Sequence, residues 1–185
     1  MGQKGTETRD RLLDATQESV EARGYFGTGL NQVIAAGGAP RGSLYFHFPG
    51  GKDQLVAESI RRAGQTIGDA MGGLADSTSS AAEFVDAVLR QLGDRLEGSD
   101  WHQGCPVATV ALETAAGNDL LQEACAEVYS SWETALRAQL ASRQDADDLA
   151  VTILAMIEGA LLLARAHRSR RPLDSVTRQI RVLLS

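Results

Sequence analysis

Between Gly24 and Gly51 the sequence is punctuated so closely that only short helices fit between the breaks. Gly24, Gly27-Thr28-Gly29, Gly37-Gly38-Ala39-Pro40 and Phe48-Pro49-Gly50-Gly51 leave room for one helix over residues 30–36 and another ending near His47. Pro40 suits the first turn of that second helix, because its missing N–H would be unpaired there and its φ is already helical. Two short helices joined by a three-residue, glycine-rich turn form a helix-turn-helix arrangement. Upstream, Leu12, Leu13, Thr16 and Val20 recur at helical spacing and predict a helix over residues 6–23, with Gly24 as its C-terminal stop.

Helical periodicity continues through the rest of the chain. From Lys52, the residues Val56, Ile60, Ala63, Ile67, Ala70 and Leu74 keep a 3.6-residue period, with Asp53 placed to suit the helix dipole. The polar segment 76–79 ends this helix. Ser80 and Glu83 make a capping box for the next, whose face is Phe84, Val88, Leu92 and Leu96. After a loop over 98–104, further helices are predicted over 106–116, 120–142, 145–168 and 173–184. No strand-length alternation competes, so the fold class is all-α: a three-helix helix-turn-helix domain over residues 1–51 and a helical domain over 52–185.

Charge becomes informative once it is divided. The net charge of −6 resolves into eight Lys/Arg against seven Asp/Glu over residues 1–62, and ten against seventeen beyond them. The acidic excess therefore sits in the second domain and leaves a basic N-terminal surface possible, although the N-terminal region is not strongly basic. The start of the chain has no apolar run of the signal-peptide kind, and two cysteines give no disulfide framework, so a cytoplasmic location is expected. Residues 149–166 are the longest apolar stretch, but they carry Glu158 and Arg165 and read as a buried helix rather than a bilayer span. Apolar residues there face two ways: Leu149, Ile153, Ile157 and Leu161 on one side, Val151, Leu154 and Leu162 towards another. Val176, Ile180, Leu183 and Leu184 continue the pattern. One face suits the protomer core and the other a second copy, as in a two-fold four-helix interface; the alternative reading is a helix wholly internal to a monomer.

The segment 37–52, GGAPRGSLYFHFPGGK, resembles the recognition helix and following turn of the TetR family of bacterial regulators. The run Gly42-x-Leu44-Tyr45-x-His47-Phe48, followed closely by Lys52, carries the resemblance, and Gly24-Tyr25 agrees with it. The 39–45 segment, the 48–52 turn and Gly104-Cys105-Pro106-Val107-Ala108 are similar to the LmrA/YxaF-like branch. Gly29 and Leu30 stand where that family usually has a threonine pair, and three residues rather than two separate Phe48 from Lys52.

Expected functions follow at named residues. A recognition helix places its N-terminal residues at base edges in the major groove. Arg41 can pair with guanine O6 and N7, Gly42 lets the backbone approach DNA, and Ser43 can bond a base or a phosphate. The resemblance implies phosphate contacts for Tyr45 and His47, whereas the residues taken alone read Tyr45 equally as half-buried core and His47 more readily as structural. Lys52, a cation at a helix start, opposes the dipole unless a phosphate lies nearby. Thr28, Gln32 and Pro40 complete the expected DNA surface. Leu44, Phe46 and Phe48 are assigned to packing. The resemblance further implies a repressor that binds palindromic operator DNA as a homodimer and is released by a small apolar or aromatic effector. Met71, Phe84, Trp101, Cys105, Glu113, Tyr129, Trp132 and Met156 are candidates to line its cavity, each more readily read as core than as a ligand contact.

Other functions fit the residues less well. His47, His102 and His167 show no nucleophile–base spacing, so no enzyme and no cofactor are expected. His102, Cys105 and Cys125 lack the repeated spacing of a metal site, so none is assigned. Thiol sensing through Cys105 and Cys125 meets apolar helical contexts in which cysteine is usually inert.

Overall fold

A computed structural model describes residues 3–40 and 42–185, and among these every regular element is a helix. They are α1 (Gln3–Gly27), α2 (Leu30–Ala36), α3 (Ser43–His47), α4 (Gly51–Ser77), α5 (Ala81–Gly98), α6 (Pro106–Thr114), α7 (Asp119–Gln139), α8 (Ala146–His167) and α9 (Arg171–Leu183). The all-α expectation holds, with shifts at the ends of elements. Gly24 interrupts α1 as expected, at φ 72° and ψ −176°, but helix resumes beyond it to Gly27. The capping box at α5 is displaced by one residue. Ser80 Oγ accepts from the Glu83 N–H at 3.2 Å, whereas the Glu83 carboxylate takes the N–H and hydroxyl of Ser79, not of Ser80. Asn118 caps α7, its Oδ1 accepting from the Leu121 N–H at 3.1 Å.

The chain forms two compact units, Met1–Gly64 with Pro106–Val128, and Gln65–Cys105 with Tyr129–Ser185. In the first unit Leu12, Leu13, Ala15, Val33, Ile34, Leu44, Phe48 and Leu55 close one core among α1–α4, with Leu30 and Ala39 packed against it. Helix α6 lies along α1; the Thr109 hydroxyl donates to Val20 O at 3.1 Å, and Ser59 donates to Leu13 O at 3.0 Å. In the second unit Phe84, Leu89 and Leu96 of α5, Ile153, Ile157, Leu161 and Ala164 of α8, and Leu173 and Ile180 of α9 are buried. Arg170 secures α5 to α9, donating to Asp94 at 2.6 Å and to the Arg90 carbonyl at 3.1 Å. Helix α8 is long and apolar enough to cross a membrane by length and composition alone.

Gly24 has two reasons to be glycine. Its φ is in the left-handed region, and a Cβ there would come within 2.1 Å of Glu113 Oε1. Glu113 accepts the Phe26 N–H at 2.8 Å, so the carboxylate cannot retreat without breaking that bond. Gly24→Ala is expected to cost about 1–3 kcal/mol, lowering the melting temperature by roughly 3–10 °C; a thermal melt followed by circular dichroism checks it.

Candidate nucleic-acid interface

Short backbone bonds build the turn between α2 and α3. The N–H groups of Gly37, Gly38 and Ala39 donate to Val33, Ala35 and Ile34 at 2.9, 3.1 and 3.1 Å, and Gly38 supplies the positive φ of 58°. The Pro40 carbonyl then accepts both the N–H and the hydroxyl of Ser43, at 2.9 and 2.7 Å. This fixes where α3 begins. Leu44 and Phe48, four residues apart and so on one face, lock α3 into the core, both fully buried.

The opposite face is open. Tyr45 is 62% exposed and Phe46 71% exposed, while Gln32, Pro40 and Gly42 are exposed and Ser43 is half-buried. Phe46 therefore departs from its assignment to packing: two residues from Leu44 it points about 200° round the helix, away from the core. Thr28 and His47 depart in the other direction. Thr28 is buried, its hydroxyl donating to Gly24 O at 2.7 Å and bonded to Ser19 Oγ at 2.9 Å, so it offers nothing to DNA. His47 is buried against the edge of the Phe46 ring at 5.0 Å, and its Nδ1 has no partner among the described residues. Arg41, the expected base reader, lies outside the described residues.

Lys52 is half-buried at the start of α4. Its Nζ sits 4.1 Å from the centroid of the Tyr25 ring, a cation–π geometry. Burial lowers its pKa, and the nearby charges of Asp53 and Glu113 act in the opposite direction. The Tyr25 hydroxyl donates to Asp53 Oδ1, and Asn118 Nδ2 donates to Asp53 Oδ2 at 2.8 Å. Burial first, then the bond to Asp53 and its charge, push the Tyr25 hydroxyl up to about 12. Tyr25, Asp53 and Asn118 were invisible as site residues in the sequence. Only the Gly24-Tyr25 pair and the adjacency of Asp53 to Lys52 hinted at them.

The expected effector-lining residues differ in their burial and surroundings. Met71 lines a groove with Ile67, Ala70, Leu74, Val88 and Leu92, of about 60 Å³, small beside the roughly 300–1,000 Å³ of typical ligand pockets. Phe84 is buried in the α5 core, and Trp132 is buried edge-on to Tyr129 at 5.7 Å. Trp101 and Met156 are half-buried. Glu113 is an exposed structural tie to α1 through Phe26 rather than a cavity group. Cys105 is buried, and its thiol bonds to Glu158. Glu158, legible in the sequence only as a charge within an apolar helix, has its Oε2 enclosed and without a hydrogen-bond partner.

Burial raises the Glu158 pKa, the thiol bond partly offsetting it. The ionised form is thus costly in the folded chain, fully so above the folded pKa, and the cost fades as pH falls towards the unfolded value. Glu158→Gln is expected to raise the melting temperature at neutral pH and to lose that advantage in mild acid. A pair of melting curves against pH checks this. Cys125 is buried, its thiol pushed up to about 11 mainly by that burial, so little of it is the reactive thiolate.

Two family profiles match the chain: Bacterial regulatory proteins, tetR family, over residues 12–59, and Transcriptional regulator LmrA/YxaF-like, C-terminal domain, over residues 81–179. The chain belongs to the TetR family of bacterial transcriptional regulators, with the LmrA/YxaF-like C-terminal domain. It is 35% identical to the HTH-type transcriptional regulator LmrA of Bacillus subtilis, over 96% of this chain and 97% of that protein. A TetR transcriptional regulator from Chloroflexus aurantiacus superposes with a TM-score of 0.83 at 28% identity, covering 96% of this chain and 94% of the other. The regulator CifR, a cysteine mutant solved with 26-base-pair operator DNA, shares the fold with a TM-score of 0.80 at 24% identity, covering 94% and 95%. The protein is a DNA-binding transcriptional regulator and not an enzyme.

Proposed function

We propose that the protein is a repressor that binds a near-palindromic operator as a homodimer and leaves it when a small apolar or aromatic effector binds. The observation that carries this reading is the outer face of α3, where Tyr45 stands exposed on a helix whose inner face is fixed by Leu44 and Phe48. A rigid element with a free side-chain face is what major-groove reading needs. Residues 1–51 serve as the DNA-binding domain. Arg41 and Ser43 read base edges, Tyr45 and Lys52 hold phosphates, and Gln32, Pro40 and Gly42, each exposed, complete the DNA surface. Thr28 and His47 have no part in it.

The second copy is supported by α8 and α9. Val151, Leu162 and Leu163 on α8, and Val182 and Leu183 on α9, are exposed apolar residues opposite faces that are already buried. A dimer reading two half-sites needs its recognition helices about 34–36 Å apart, or a multiple of it. An effector that prefers a different separation weakens DNA binding by the same coupling free energy, typically 1–3 kcal/mol. Glu158, with an enclosed and unpartnered oxygen on an apolar helix, supports an effector site within residues 52–185. A repressor of this kind works in the cytoplasm.

The test is a titration onto labelled DNA from upstream of the protein's own gene and its neighbours, at one fixed salt concentration. Binding to one fragment at about 10⁻⁸ M or tighter, with that preference lost in Arg41→Ala and weakened in Tyr45→Ala, supports the reading. Equal, salt-sensitive binding to every fragment by all variants shows electrostatic association alone and contradicts it.

A further inference from the structure

Lys52 has an acid beside it in sequence, yet it makes no ion pair among the described residues. The reason lies in what Asp53 is already doing. Its Oδ1 accepts the Tyr25 hydroxyl, and its Oδ2 accepts Asn118 Nδ2 at 2.8 Å. Asn118 is itself fixed, since its Oδ1 caps α7 through the Leu121 N–H at 3.1 Å. Glu113, the other carboxylate whose field reaches Lys52, accepts the Phe26 N–H at 2.8 Å. Both acids near Lys52 thus have hydrogen-bond donors elsewhere, and the ammonium rests on the face of the Tyr25 ring, 4.1 Å from its centroid.

A cation in the first turn of a helix is opposed by the helix dipole. It is tolerated where an anion arrives from outside, and a phosphate contacted at a helix start is such an anion. An Asp53 free to turn towards Lys52 would satisfy the ammonium internally and compete with that phosphate. We propose that Tyr25 and Asn118 are positioning residues for DNA binding: by holding one carboxylate oxygen each they fix the orientation of Asp53 and keep the Lys52 ammonium available to a backbone phosphate. The inference rests on the reading of Lys52 as a phosphate contact. It also gives that contact a control point. Asn118 lies 65 residues from Asp53 in the chain, in the turn between α6 and α7. Any shift of that turn that parts Asn118 from Asp53 hands Oδ2 to Lys52 and removes one phosphate contact per protomer.

The experiment is the slope of log affinity against log salt for the full-length protein on the upstream fragment. Each phosphate contact contributes about −0.9 to it. Lys52→Ala is expected to flatten the slope by roughly 0.9 per protomer. Asn118→Ser, which retains a good helix cap, and Tyr25→Phe, which retains the ring, should flatten it similarly and weaken binding at low salt by roughly 3–10-fold. In an Asp53→Asn background neither substitution should flatten it further, because the competing charge is gone; a purely structural role would persist there. Unchanged slopes for Asn118→Ser and Tyr25→Phe beside a flattened Lys52→Ala overturn this inference alone. An unchanged slope for Lys52→Ala, or no binding by wild type, overturns the DNA-contact reading and the inference together.

Discussion

The double substitution Leu162→Asp with Val182→Asp should turn the protein into a monomer and weaken operator binding by at least about 100-fold. Leu162 is 62% exposed on α8 and Val182 is 70% exposed on α9. Neither holds its own protomer together, and exposed substitutions of this kind usually change stability by under about 0.5 kcal/mol. In a two-fold interface each substitution is present twice, so four carboxylates would enter an apolar contact without partners. Burying an unpaired charge is among the most costly changes a packed contact can suffer. A monomer reads one half-site, and specific binding is typically about 10³–10⁷ tighter than non-specific binding, so losing half the contacts removes much of that margin. Light scattering of the variant beside wild type gives the mass, and titration onto the upstream fragment gives the affinity. A folded variant that keeps a dimer mass shows that this face is not the interface.

The second large effect is expected at Phe48. Its ring is 0% exposed in the core shared by α1, α2, α3 and α4, with the Arg9 guanidinium 5.4 Å from the ring centroid. Phe48→Ala removes most of that ring and leaves a cavity, at about 3–5 kcal/mol. For a chain of this length that is roughly 6–20 °C in melting temperature. Because Phe48 and Leu44 are what orient α3, sequence-specific binding should be lost even below the melting point, while the exposed neighbour Phe46→Ala should leave stability near wild type. Thermal melts of both variants, with titrations at a temperature where each remains folded, measure this. A drop of under about 1 kcal/mol for Phe48→Ala would show that α3 is oriented by something other than this core.

The contrast between Phe46 and Phe48 shows where the sequence is readable and where it is not. Glycine and proline act locally, so the breaks around Gly24, Gly37–Pro40 and Pro49–Gly51 can be read without knowing the tertiary structure, and the helices fall between them. At α3 and the residue that follows it, the run Leu44-Tyr45-Phe46-His47-Phe48 offers little polar contrast, so hydrophobicity cannot say which face is inward. Only the angle round the helix decides, and it sends Phe46 out and His47 in. Thr28 misled for a related reason: its hydroxyl suits DNA or a backbone carbonyl equally, and the kink at Gly24 supplies a carbonyl within reach at 2.7 Å. Glu113 and Asn118 could not be placed from sequence, because their partners Phe26 and Asp53 lie 87 and 65 residues away. Helix periodicity fixes which face of α6 is buried, but not what a polar residue beside that face will meet. Glu158 was legible as a charge in an apolar helix, but its pairing with Cys105 depends on how residues 99–105 return to α8.

A base-resolution footprint of the wild-type protein on the fragment it binds tests directly whether a dimer reads two half-sites. Protection is expected over two inverted half-sites whose centres lie about one helical turn of DNA apart, or a multiple of it. Both should disappear together in the Leu162→Asp/Val182→Asp variant and lose contrast in Arg41→Ala. Uniform protection along the fragment, or one half-site protected alone by the wild-type protein, would contradict it.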